Sequence, residues 1–135
     1  MNVIIDTNLW VSFAIGKKLS VMRTLLNRPE MEIFICKELL DEFASVSSRL
    51  KIRKYVTSDI VQETRGLMEH FCHYVPINKK AVSSIRDKND LWLLSFAETI
   101  SADFIVTGDK DLLSLRVHRQ TRIVTYNEFF TMIES

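Results

Sequence analysis

The sequence predicts a three-layer α/β/α sandwich around a mainly parallel sheet, and three observations predict it. Short β-rich runs alternate with longer stretches of helical periodicity along the chain. The strand-like runs VII (after Asn2) and FIV (after Asp103) are apolar throughout, as in strands buried on both faces. Only three Gly and two Pro interrupt the chain, so regular elements meet through short connections.

Taken in order, residues 2–6 (NVIID) read as a buried strand, and 8–15 and 19–27 carry helical spacing. Residues 32–36 (EIFIC) form a second strand. An amphipathic helix follows over 37–50 and another over 58–72, with a short strand expected at 74–77. Residues 88–100 are a helix, 103–107 (DFIVT) a strand and 110–115 a short helix. A last strand at 122–124 and helix at 126–133 complete the pattern.

A chain of 135 residues is expected to be one domain, 1–135, and its 47% apolar content suffices for one sizeable core. No apolar run approaches a membrane span. The opening MNVIIDTNLW has an early acid and no basic flank, so it is read as fold rather than as a signal peptide. Cys36 and Cys72 lack the close spacing of a zinc pair and fit buried thiols of a cytoplasmic protein. With 18 basic and 17 acidic residues, bulk charge does not mark a nucleic-acid binder. Two local clusters remain as phosphate contacts or ordinary solvated surface: Arg49, Lys51, Arg53 and Lys54, and Arg116, His118, Arg119 and Arg122.

The acids carry the chemistry. Open parallel sheets bind ligands beyond the carboxyl ends of their strands. Asp6 closes the first strand and Asp109 follows DFIVT by two residues, although each position also suits a turn or helix cap. In the 37–50 helix, Leu39, Phe43, Val46 and Leu50 form the buried stripe. Glu42 flanks that stripe, as a boundary residue also would, whereas Glu38 lies further round and Asp41 points away. In the 88–100 helix, Asp90 lies in line with the inward face of Leu93, Leu94, Ala97 and Ser101, where desolvation demands a partner. Its position in the first turn also suits the helix dipole, while Asp87 is the more natural cap. Four carboxylates from separate segments repel unless a divalent cation joins them, and hard oxygen ligands select Mg²⁺ or Mn²⁺. His70 and His73, three apart on one predicted helix, and the remote His118 make no zinc triad.

These residues resemble a known family. MNVIIDTNLWVSF, ICKELLDEFASVSSRL and RDKNDLWLLSFAETISADFIVTGDKDLL look like the three signature blocks of PIN-domain ribonucleases, and the size is that of the VapC-like toxins of toxin–antitoxin pairs. The resemblance runs from the first strand to near residue 115. It implies that Asp6, Asp90 and Asp109 ligate Mg²⁺ or Mn²⁺, that Glu42 completes the catalytic set, and that Asn8 and Thr107 support the acids. Asp87 and Asp111 are secondary candidates, since the usual D-P before the third block is here Asp87-Lys88, and Trp92 stands where a smaller residue is usual.

The implied activity is endonucleolytic hydrolysis of RNA, with Arg49, Lys51, Arg53 and Lys54 holding the backbone. The implied partners are an antitoxin protein and a second copy of the chain. Trp92 and Phe96, opposite Asp90 on their helix, are too large to leave bare and are covered either by a neighbouring helix or, alternatively, by self-association. Two rival readings stand beside this one. An aspartyl nucleophile in D-T-N is weakened by Asn8 in place of a second acid. A catalytically silent PIN-like RNA-binding or scaffold module would have lost carboxylates that are all present here.

Overall fold

The computed structural model describes residues 1–16 and 18–134. Six strands form one sheet: β1 (Asn2–Ile5), β2 (Glu32–Ile35), β3 (His73–Tyr74), β4 (Phe104–Val106), β5 (Val117–His118) and β6 (Thr121–Val124), in the order β3-β2-β1-β4-β6-β5. All neighbours are parallel except β5 and β6, which form an antiparallel hairpin. The apolar runs hold the middle of the sheet. Val3, Ile4 and Ile5 of β1 are all buried and pair in register with Phe104, Ile105 and Val106 of β4. A strand buried on both faces needs apolar residues at every position, and β1 has them.

The helices are α1 (Thr7–Ile15), α2 (Leu19–Leu26), α3 (Lys37–Ser47), α4 (Leu50–Arg53), α5 (Ser58–Phe71), α6 (Leu91–Ile100), α7 (Lys110–Leu115) and α8 (Tyr126–Glu134). Strands β1 to β3 step one way across the sheet, then the chain returns to β4 and steps the other way to β6. Right-handed crossovers therefore put α1, α2, α3 and α5 on one face and α6 and α7 on the other. The first group packs together accordingly. This is the α/β/α sandwich that the alternation predicts.

Four local departures are seen, and the first two have identifiable causes. The helix expected over 37–50 ends at Ser47 and resumes as α4. The Ser47 hydroxyl donates to the Phe43 carbonyl at 2.6 Å and that of Ser48 to Ser45 at 2.8 Å, and hydroxyls that compete for backbone groups weaken a helix. The strand expected at 74–77 is only His73–Tyr74, because Pro76 cannot continue the ladder. The first turn of the 88–100 helix is a tighter 3-10 turn, Lys88–Asp90. Finally, β5 is an addition, joined to β6 through Arg119 at φ 53°.

The segment between β3 and the 3-10 turn lies across α6. The Ala81 amide donates to Ser95 Oγ at 2.9 Å, and the amides of Asn78 and Lys79 donate to Thr99 Oγ1 at 3.1 and 3.2 Å. Ala81, Ile85 and Phe96 are buried. Of the two covers weighed for Trp92 and Phe96, packing within the chain is the one seen. Phe96 belongs to the core and Trp92 is half-buried, and the element lying across α6 is an irregular segment rather than a helix.

Candidate active site

The strand order reverses between β1 and β4, and the crevice at such a reversal is where open α/β sheets bind ligands. Asp6 leaves β1 and Thr107 leaves β4 at this point. The Asp6 amide donates to the Val106 carbonyl, and the Thr107 amide to the Val124 carbonyl, both at 2.9 Å. Thr107 is fully buried, and its hydroxyl donates to Asp6 Oδ2 at 2.7 Å. Thr107 Oγ1 in turn accepts the Asp109 amide at 3.0 Å. One hydroxyl thus fixes the carboxylate after β1 and the backbone of the acid after β4.

Asp6 is 5% exposed. Burial pushes its carboxyl above the ordinary range, the Thr107 hydrogen bond pulls it back in part, and the charges of Glu42 and Asp109 push it up again. Asp90 stands at the start of α6 without capping it, and its Oδ2 is buried with no hydrogen-bond partner among the described residues. Burial, then the charges of Asp109, Asp87, Asp6 and Glu42, raise its carboxyl from 3.8 to about 7. The charges of Glu42 and Asp109 thus act on both Asp6 and Asp90 at the carboxyl end of the sheet.

Glu42 is half-buried on α3, beside the buried Leu39, Phe43 and Val46, and α3 packs on α1. The alternatives are engaged elsewhere or turned outward. Asp41 pairs with Lys37 at 2.7 Å, and Glu38 is exposed. Asp109 caps α7, its Oδ1 accepting the amides of Asp111 at 2.8 Å and Leu112 at 3.3 Å. The capping role weighed for Asp109 in the sequence is therefore real, and it coexists with charge coupling to Asp6 and Asp90.

The supporting residues divide. Thr107 holds an acid directly. Asn8 is exposed, and its side chain makes no hydrogen bond to a carboxylate among the described residues. Asp87 is exposed and caps the 3-10 turn through the Asn89 amide at 3.0 Å. Asp111 is half-buried, and its amide serves the Asp109 cap. Asp90, not Asp87, carries the unpartnered buried oxygen.

None of the four central acids enters an ion pair among the described residues. Nor do three acidic, histidine or cysteine groups stand among the described residues in a ready-made ligand arrangement. The donor chemistry nevertheless suits a hard divalent cation: all-oxygen, anionic, mutually repelling and with one oxygen left bare. Such a cation would relieve both the repulsion and the orphaned Asp90 oxygen.

Other candidates resolve as structure. Cys36 and Cys72 are free thiols that burial pushes up to about 12, so neither is a thiolate. His73 lies on β3 rather than on the helix of His70, against the Phe34 ring at 5.1 Å. His118 Nε2 is 2.7 Å from Glu98, whose other oxygen is 3.3 Å from Arg119 Nε. Arg122 lies over the Phe104 ring at 5.6 Å. The second basic cluster is thus largely engaged in fastening the β5–β6 hairpin, and its turn lies at the amino end of β6, away from the acids. Arg49, Lys51, Arg53 and Lys54 are exposed on and beside α4 with no ion pair among the described residues.

Two buried polar atoms lay outside the sequence argument. Thr7 Oγ1 and Trp10 Nε1, one and four residues after Asp6 on α1, have no hydrogen-bond partner among the described residues. A Trp at helical spacing reads as core, so nothing in the sequence marks it.

A family model described as PIN domain matches residues 2–111. Among solved structures, the chain is similar to one whose description reads "VapBC2 from Rickettsia felis bound to a DNA fragment from their promoter". That likeness has a TM-score of 0.59 at 16% identity and covers 93% of this chain and 99% of the other. At that identity it shows a shared fold. No curated protein matches the sequence significantly.

Proposed function

The chain belongs to the PIN-domain family, and from that premise we propose that it is a divalent-metal-dependent endoribonuclease, the toxin of a toxin–antitoxin pair. The observation that carries the reading is the buried, unpartnered Asp90 Oδ2 within charge range of Asp6, Glu42 and Asp109. Carboxylates gathered at a switch point with no basic partner are costly unless the site binds a cation.

Asp6, Asp90 and Asp109 would hold the ion. Bound Mg²⁺ or Mn²⁺ supplies Lewis-acid polarisation of a phosphate and a lowered pKa for water. Glu42 orients the attacking water and accepts its proton. Water attacks phosphorus in line, and the bond to the leaving oxygen breaks. Thr107 keeps Asp6 in one rotamer, as supporting hydrogen bonds do for metal ligands. Arg49, Lys51, Arg53 and Lys54 hold the RNA backbone, which contributes affinity without sequence information.

The partner belongs to this reading too. The similar structure is described as a VapBC2 assembly with promoter DNA, which supports an antitoxin partner for this chain. A homodimer remains part of the proposal on family grounds, without the Trp92–Phe96 face. No described helix is long and apolar enough to cross a membrane.

The deciding experiment measures cleavage of single-stranded RNA and matching DNA with Mg²⁺ or Mn²⁺, for the parent, Asp6→Asn and Asp90→Asn. The reading expects metal-dependent RNA cleavage that folded variants lose. Equal rates in parent and variants would overturn the site. No cleavage, with no Mn²⁺-dependent rise in thermal stability, would point to a silent RNA-binding module.

A further inference from the structure

A pocket of about 500 Å³ opens between α1 and the start of α8. Leu9, Ser12 and Phe13 form one wall, Tyr126 and Asn127 the other, and Lys18 stands at the edge. Helix α1 leaves the carboxyl end of β1 and α8 leaves the carboxyl end of β6, so the pocket shares the sheet end of the carboxylates. The Leu9 amide donates to the Asp6 carbonyl at 3.0 Å. At 1.5 Å rise per residue, the pocket begins about 5 Å along α1 from Asp6.

Its chemistry is specific. Tyr126 is half-buried and held edge-on against Phe13 at 5.1 Å, so the aromatic wall is set in advance. Ser12 and Asn127 are exposed, and neither they nor the Tyr126 hydroxyl has a side-chain hydrogen bond among the described residues. Lys18 is exposed and outside every ion pair among the described residues. An apolar lining with an aromatic ring, polar groups free among the described residues and a nearby cation match a nucleobase and its phosphate. The amino terminus of α8 is not the attraction. Thr125 and Glu128 close it, with the Thr125 amide on Glu128 Oε1 at 3.0 Å and the Glu128 amide on Thr125 Oγ1 at 3.1 Å.

We propose that this pocket is a nucleobase subsite for the RNA strand being cut, seating the base of one nucleotide beside the scissile phosphate. The proposal rests on the nuclease reading and extends it to specificity. Stacking on Tyr126 provides affinity for a base, and Ser12 and Asn127 read its edge.

The test uses single-stranded RNAs that lack the base at one position at a time around the cleavage site. One position should lose about ten-fold in kcat/KM, chiefly through KM, and the others should stay within about two-fold. Tyr126→Ala should erase that difference and Tyr126→Phe should keep it. Asn127→Ala, a surface change, should alter base preference with the fold intact. A second arm titrates the parent, without metal, with uncleaved RNA and follows backbone amide resonances. Shifts at Ser12, Tyr126 and Asn127 support the pocket even if the parent cuts nothing, an outcome that would sink the nuclease reading alone. Equal cleavage of all base-lacking substrates, or amides that move with protein concentration and not with RNA, would overturn the subsite. The latter would assign the pocket to a second copy of the chain.

Discussion

Thr107 donates its hydroxyl to Asp6 across 2.7 Å, and this one bond links the ends of the two strands between which the sheet reverses. The same oxygen receives the Asp109 amide, so Thr107 positions two of the proposed metal ligands. Thr107→Val keeps the shape and removes the donor. A buried carboxylate that loses a hydrogen bond costs about 1–3 kcal/mol. Support for a metal ligand is worth about 10–100-fold in affinity or activity. Thr107→Val is therefore expected to lose stability in thermal unfolding and to cut RNA about ten-fold more slowly or worse. Thr107→Ser should recover most of both, and a Val variant with parental activity would deny Thr107 its positioning role.

The acids make the metal-free protein pH-sensitive in a direction opposite to an ordinary salt bridge. The Asp90 carboxyl is raised from 3.8 to about 7 and Asp6 is raised too, so the native state holds protons that the unfolded chain has released. Stability in a chelator should then be highest at the acidic side of this window and fall as pH rises from about 4 to about 7. Mn²⁺ competes with those protons and should flatten or reverse the fall. Asp90→Asn removes a repelling charge, so it should melt at or above the parent near pH 8 without metal while cutting far more slowly. Melting curves over the range, with and without Mn²⁺, read all three. A parent that gains stability with pH in chelator would contradict the cluster.

Much of this was legible before any coordinates. Asp6 and Asp109 are fixed by where apolar strands end, and Glu42 by the stripe of Leu39, Phe43 and Val46, although Leu50, read into the same stripe, is exposed on α4. Less legible were features made by contacts between distant segments. Phe96 reads as covered by a helix or a second copy, because nothing in residues 75–87 announces that they cross α6. The β5–β6 hairpin turns through Arg119 and Gln120, without the Asn-Gly or Asp-Gly signal that favours tight turns, so periodicity passes over it. Asn8 sits in the right motif, yet its first-turn position on α1 leaves it facing solvent.

Glu98 separates stability from chemistry. It receives His118 at 2.7 Å and Arg119 at 3.3 Å, tying the hairpin to the end of α6 at the amino side of β6. The His118 hydrogen bond and the Arg119 charge hold its carboxyl below the ordinary range, so its contribution is present near neutrality and disappears on acidification through that lowered value. Glu98→Gln should cost about 1 kcal/mol in denaturant unfolding near neutral pH. Cleavage by the folded variant should match the parent. A selective loss of cleavage would mean that this end of the sheet also meets RNA.

The two basic clusters should respond differently to salt. Arg49, Lys51, Arg53 and Lys54 are exposed and free of ion pairs among the described residues, and from Glu42 to the end of α3 the helix rises only about 7 Å. Phosphates flanking a scissile bond at the carboxylates therefore fall within reach of α4. Arg119 and Arg122 instead serve Glu98 and Phe104. Each phosphate contact to a single strand contributes about 0.7 to the slope of log affinity against log salt. Lys51→Gln with Lys54→Gln should therefore weaken RNA binding and flatten that slope by roughly 1.4, with no change in base preference. Arg119→Gln with Arg122→Gln should leave the slope as it was. Because the slope counts contacts, a flattening seen only with the hairpin pair would move the RNA to the opposite end of the sheet and separate it from the acids.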